Sequence, residues 1–434
     1  MQTAKRVLSI LFANAALLFS QAGAPIHLTL QDAEGMALKN HPQVQAAQDV
    51  SFAAEQRVRE AKAPYYPELN GETTGSQGNP QGRIGAGFLT DSRLFNRFGL
   101  GLSLNQLITD SGRTPNLVSE AHFRANASTQ DYQATRYSVL VAVNQAYYNA
   151  LRAQALVKVA QETVAARQLL VDQVTVLAQN SLRSQLDVSF ADVNRAQAQL
   201  MLIRARNQVQ GAFAELTRAL GSGQMAAYDL VEQELPPSPP QDAGTLVAQA
   251  LRDRPELASL RLSLEAANSF ERAERDLAYP TVSLTGVGGY IPYINQITLP
   301  RVIPSEYEGV AVNIQVPIFN GHLFNARRKE AHYRALESDQ RVRDMEQRIA
   351  LDVRAAWAAA VTSYQGLDVT AQFLRQATLA MSLAQGRYDL GLASIVELTQ
   401  AQLAVTEAEI ESLSAKYDYQ SQYVTLQYAM GALR

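Results

Sequence analysis

The chain repeats itself. Ala37-Leu38-Lys39-Asn40-His41-Pro42 lines up with Ala250-Leu251-Arg252-Asp253-Arg254-Pro255, and Tyr66-Pro67 lines up with Tyr279-Pro280 at the same spacing of 213 residues. Further on, Gly99, Leu100, Leu102, Leu104 and Ile108 match Gly309, Val310, Val312, Ile314 and Ile318 at an offset of 210. Asp187-Val188, Ala191, Leu200 and Leu220-Gly221 then match Glu397-Leu398, Ala401, Ile410 and Met430-Gly431 at that same offset. A register held from Gly99 to Leu220 is not accidental, so the fold must be one that a single unit can build twice. The halves read as 25–233 and 245–434. Between them the proline-rich linker 234–244 carries Pro236-Pro237-Ser238-Pro239-Pro240, which stops a helix and stays extended and stiff.

Proline placement outlines the helices. None occurs from Asn116 to Leu235 or from Ile318 to the C-terminus, and both windows are rich in Ala, Gln, Leu, Arg and Glu. Each window predicts a helical hairpin, about 114–221 and about 322–431, turning at Gln179-Asn180-Ser181 and at Leu390-Gly391-Leu392. The outgoing arm, Pro115 to Ala178, measures roughly 95 Å and the return arm to Leu220 roughly 60 Å. A helix opening each half, Thr29 to Ala63 or Thr245 to Ala278, adds roughly 50 Å, so the short helix and the return arm stack end to end along the long one. Val396, Leu403, Ile410, Tyr417 and Val424 recur every seven residues, and Leu186, Val193 and Leu200 share that phase in the first half, which predicts a coiled-coil seam. Periodicity alone suits a coiled-coil rod as well as a channel wall.

Strands separate the two. Leu100, Leu102 and Leu104 alternate with Gly101, Ser103 and Asn105, and Val310, Val312, Ile314 and Val316 alternate with Ala311, Asn313 and Gln315. Each run is about ten residues, the length a tilted strand needs to cross a bilayer. Partner strands precede them, roughly Glu68 to Gln77 and Thr281 to Tyr290, giving strand regions of about 68–108 and about 281–319. Four strands are too few to close a barrel around a lumen, and a membrane forbids their open edges. Several copies must therefore share one barrel. Phe88, Phe95, Phe98, Tyr290, Tyr293 and Tyr307 flank the strands where aromatic girdles sit. A soluble alternative, two amphipathic hairpins packed on a helix bundle, leaves the long loops without a purpose.

The first 24 residues read as a signal peptide: Lys5-Arg6, an apolar stretch from Val7 to Phe19, then Ala22-Gly23-Ala24. Its loss takes the formal charge from -3 to about -5 and leaves no basic footprint for nucleic acid. There is no cysteine, which excludes disulfides, thiolate chemistry and lipidation through cysteine. His27, His41, His122, His322 and His332 show no metal-ligand spacing, and no phosphate loop or nucleophile elbow is present, so the chain reads as no enzyme and needs no cofactor.

The duplicated helix, strand pair and long hairpin, together with Asn40-His41-Pro42, Gln145-Ala146-Tyr147, Pro317-Ile318-Phe319-Asn320-Gly321 and Tyr388-Asp389-Leu390-Gly391-Leu392, resemble the TolC-like outer-membrane efflux proteins from Leu28 to Leu433. The resemblance implies a mainly α protein with a β-barrel portion. It implies a homotrimer sharing a twelve-strand barrel in outer-membrane lipid, with a helical coiled-coil tunnel in the periplasm. A periplasmic adaptor (membrane fusion) protein and an inner-membrane pump of RND, ABC or MFS type are the implied partners, with no nucleic acid. It places adaptor docking at Leu390, Gly391, Leu392, Ala393 and Ser394, and at Asn180, Ser181, Leu182, Arg183 and Ser184, where Ser181 replaces the family's glycine. It places a constriction at Asp187, Glu397 and Tyr388, two acids that a trimer makes into rings of the kind that attract cations. Ala393 stands where an arginine helps hold the closed state, and Gln400 where a second acid can stand. The functions to separate are a passive export duct, a coiled-coil structural protein of the envelope without transport activity, and a soluble hydrolase or binding protein.

Overall fold

A computed structural model describes residues 26–77, 83–84, 92–93, 96–223, 228–295 and 306–433. The expected signal peptide, Phe88 and Phe95 lie outside the described residues. In the first half the elements run β1 (Ile26–Leu28), α1 (Leu30–Asn40), α2 (Pro42–Lys62), β2 (Glu68–Ser76), β3 (Arg83–Ile84), β4 (Ser92–Arg93), β5 (Asn96–Thr109), α3 (Arg113–Gln179) and α4 (Gln185–Ala219). The second half runs β6 (Tyr228–Leu230), α5 (Ala243–Asp253), α6 (Pro255–Asp276), β7 (Thr281–Asn295), β8 (Glu306–Gln315), α7 (Leu323–Asp389) and α8 (Ile395–Ala429). The long arms α3 and α7 are 67 residues each and the return arms α4 and α8 are 35 each. The duplication therefore holds at the level of helix length.

The opening helix of each half is not continuous, as expected from the sequence, but broken in two. His41 and Arg254 precede prolines and take extended backbone, with ψ of 122° and 123°, because the proline ring disfavours a helical residue before it. Pro42 and Pro255 then start the next helices, where a missing N–H costs nothing.

The chain forms two compact units, each drawn from both halves. Among the described residues the first comprises 26–47, 132–223, 228–255 and 346–433. Its core gathers Leu28, Val139, Val143, Tyr147, Leu216 and Leu220. Here the end of each return arm meets the break in the opening helix. Gly221 is at φ +69°, and a Cβ on it would stand 2.7 Å from Cα of His41; Gly431, at φ +72°, would stand 3.1 Å from the Asp253 carbonyl carbon. End-to-end stacking is thus a backbone contact that only glycine permits, made once in each half. The parallel pair β1 and β6, absent from the sequence reading, lies nearby. The fully buried Tyr147 donates its hydroxyl proton to the Val231 carbonyl at 2.7 Å. The linker is held against this unit by the Trp357 indole N–H on the Pro240 carbonyl and by the Tyr419 hydroxyl on that of Pro237.

The seven-residue period is real, but only part of the expected seam is buried within the chain. Within the chain the buried series on α4 is Ala191, Ala198, Ala205, Ala212 and Ala219, and Val139, Ala146, Ala153 and Ala160 form a buried series of the same spacing on α3. Leu186, Val193, Leu200, Val396 and Leu403 are exposed, whereas Tyr417 and Val424 of the same phase are buried. Small alanine knobs let helices of one chain approach closely, and the larger side chains are left on an open face.

The second unit comprises residues 48–131 and 256–345 and holds an antiparallel sheet in the order β2-β5-β7-β8. Leu69, Leu104 and Val310 share one face with Leu100, Leu102, Val312 and Ile314, all but Leu104 strongly exposed. Glu68, Asn70, Glu72, Ser103, Asn105 and Thr285 share the other. Strands β2 and β8 are its edges. Phe98 and Tyr290 fall on the apolar face, as a girdle requires. Tyr307 does not: its partner Gly289 pairs with Gly101, which places it on the polar face.

Candidate functional site

The two hairpin turns use one backbone device. At the end of α7, Leu392 N–H donates to the Arg387 carbonyl at 2.8 Å and Gly391 N–H to that of Tyr388 at 3.0 Å. At the end of α3, Leu182 N–H donates to Leu177 at 2.8 Å and Ser181 N–H to Ala178 at 3.0 Å. Both patterns satisfy orphan helix carbonyls through a left-handed residue, Gly391 at φ +73° and Ser181 at φ +58°. Ser181 therefore adopts the geometry of the glycine it replaces.

Serines start both return helices. Ser184 Oγ accepts from Asp187 N–H at 3.2 Å, and Asp187 Oδ2 accepts from Ser184 N–H at 3.1 Å, a closed capping box. Ser394 Oγ accepts from Glu397 N–H at 3.2 Å, but the Glu397 carboxylate turns to Arg387 instead, with Oε1 3.3 Å from its Nε. Both expected constriction acids are thus anchored in the first turn of a helix, where the macrodipole favours negative charge. Asp187 is half-buried and Glu397 exposed.

The third expected constriction residue is the best packed. Tyr388 is 3% exposed among Val174, Val188, Ala384, Ile395 and Leu398. Arg183, from the other hairpin, donates to the Tyr388 carbonyl at 2.7 Å and lays its guanidinium 4.2 Å from the ring centroid. Burial pushes the Tyr388 hydroxyl above its ordinary pKa, with Arg183 opposing, and that hydroxyl has no hydrogen-bond partner among the described residues. The structure therefore brings Arg183, Asp187, Tyr388 and Glu397 to one pair of turns. Ala393 is buried beneath them, while Leu182, Leu390 and Leu392 stand at 69%, 76% and 68% exposed, with Asn180, Ser184 and Ser394 also at the surface.

This arrangement has no nucleophile beside a base; it offers apolar knobs on rigid turns, backed by acids. The Ser-x-x-acid spacing of the caps was legible at both tips. The stacking of Arg183 on Tyr388, 205 residues away, leaves no local signature.

Comparison with known proteins places these features in context. The sequence pattern of the family described as outer membrane efflux protein matches residues 35–222 and 246–432. The cation efflux system protein CusC of Escherichia coli O157:H7 is 26% identical over 396 residues, spanning 86% of this chain and 81% of CusC. The alkaline protease secretion protein AprF of Pseudomonas aeruginosa is 27% identical over 453 residues, spanning 99% and 90%. The crystal structure of the Campylobacter jejuni CmeC outer membrane channel superposes with a TM-score of 0.77 at 19% identity, over 93% of this chain and 85% of that one.

Proposed function

The chain belongs to the outer membrane efflux protein family, and on that premise we propose that it is the passive exit duct of a tripartite efflux or secretion system, working as a homotrimer in the outer membrane. The observation that carries this reading is the four-stranded sheet: one face exposes Leu69, Leu100, Leu102, Val310, Val312 and Ile314, and the outer side of each edge strand has no partner among the described residues. Such a sheet is satisfied in lipid only when β8 of one copy pairs with β2 of the next. Three copies give twelve strands. The open faces at Leu186, Val193, Leu200, Val396 and Leu403 supply the matching contact between helical arms.

At the hairpin turns, the exposed leucines receive a periplasmic adaptor, which connects the duct to an inner-membrane pump. Asp187 and Glu397 form two rings of three carboxylates at the constriction. Arg183, stacked on Tyr388, holds the closed turns together in place of the arginine missing at position 393. No chemistry on the cargo is assigned. One relative is named for cation efflux and another for protease secretion, which accords with cargo being chosen by the pump.

Because the chain has no native cysteine, cysteine pairs scanned along β2 and β8 report directly on strand pairing between copies. Oxidation should yield covalent trimers at an alternating subset of positions. Intact trimers that never cross-link between these edges would overturn the shared barrel. A bulky charged residue in place of Gly391 should block export while leaving trimers intact; normal export by Gly391→Arg would remove the docking role from that turn.

A further inference from the structure

The polar face of the sheet carries a tyrosine whose seat is cut from glycine. Glu72, Gly101, Gly289 and Tyr307 form one row across β2, β5, β7 and β8. The two central members lack side chains, and the Tyr307 ring fills their place. A Cβ on Gly289 would stand 2.5 Å from both Cζ and Oη of Tyr307; one on Gly101 would stand 3.4 Å from Cζ and would overlap the hydroxyl. The ring therefore reaches from an edge strand over two neighbours and lies against their backbone. The next row on this face is Asn70, Ser103, Val287 and Gly309 and the one beyond is Glu68, Asn105, Thr285 and Ala311, small or polar but for Val287, as suits the water-filled side of a barrel.

We propose that Gly101 and Gly289 stow the Tyr307 ring flat against the inner wall of the barrel, which makes Tyr307 the side chain that sets the bore at this level. The inference rests on the duct reading, since it needs the polar face to be the lumen. In the trimer three such rings line one level. Flat, they leave the passage wide and present an aromatic surface beside the Glu72 carboxylates of the same row. Lifted from their seats, they point toward the axis and narrow it. A tyrosine that only shielded glycine backbone would stabilise the sheet without affecting the bore.

Single-channel conductance of purified full-length trimers in planar bilayers separates these roles. Gly101→Ala displaces the ring and should lower conductance, and Gly101→Ala combined with Tyr307→Ala should restore it to at least the wild-type level. Equal conductance of Gly101→Ala and wild type, or an equal loss with and without Tyr307, would overturn the seat. Where Gly101→Ala does not assemble, thiol labelling decides: a water-soluble reagent should modify Tyr307→Cys and reduce its conductance while sparing Val310→Cys on the apolar face. Labelling of Val310→Cys alone would contradict the placement of Tyr307 in the lumen. A wild-type trimer that does not conduct contradicts the duct itself, whereas a conducting wild type without coupling between Gly101 and Tyr307 contradicts only the seat.

Discussion

Ser181 shows how one residue type departs from its local geometry without changing the turn. A side chain at φ +58° crowds its own carbonyl, which costs about 1 kcal/mol, and Gly391 avoids that cost at the equivalent position. Ser181→Gly should raise the free energy of unfolding by about 0.5–1 kcal/mol, measured by denaturant titration. A drop would mean that the serine hydroxyl does something the turn needs. His41 sets a pH dependence. Burial, with Arg218 adding to it, lowers its pKa below the ordinary 6.5. The folded state then binds a proton less readily than the unfolded chain. Its contribution to stability is fully present above pH 6.5 and is progressively lost as pH falls from that value toward the lower folded one, because the unfolded chain takes up the proton first. His41→Gln should therefore flatten the decline in melting temperature between neutral and mildly acid pH. An unchanged slope would place the acid sensitivity elsewhere. The second half has no counterpart, because Arg254 stands there, stacked 5.3 Å from Tyr428 and paired with Asp352 at 3.3 Å.

Elements meet where the sequence marked them, but for reasons that periodicity cannot show. The proline after His41 or Arg254 was visible as part of the repeat, yet its effect, breaking one expected helix into two, follows from backbone sterics before proline rather than from composition. The glycine closing each return arm was also visible as half of the Leu220-Gly221 and Met430-Gly431 match. Nothing in the chain announces that its missing side chain accommodates another helix end. The closer approach at Gly221 predicts unequal costs. Gly221→Ala should destabilise by at least about 2 kcal/mol and Gly431→Ala by about 1–2 kcal/mol, read from equilibrium unfolding of each variant. Equal losses would show that the left-handed backbone alone, and not the 2.7 Å approach to His41, sets the cost. The coiled-coil period was legible, but which of its positions close within one chain, Tyr417 and Val424, and which stay open, Leu186, Val193, Leu200, Val396 and Leu403, was not, because a heptad gives spacing and not partner.

At the scale of the whole molecule, the strand count was the most informative reading, since four strands with an exposed apolar face pose a problem that one chain cannot solve. The face of each strand followed from alternation, and only cross-strand pairing could reveal that Tyr307 belongs with the glycines. The central claim is that this assembly is a conducting duct through the outer membrane. Purified trimers added to a planar bilayer test it directly. Discrete conductance steps with a preference for cations, weakened when Asp187 and Glu397 are both replaced by alanine, are the expected result. A silent bilayer, from trimers whose barrel has been verified by cross-linking between β2 and β8, would contradict the duct and leave a structural rod of the envelope in its place.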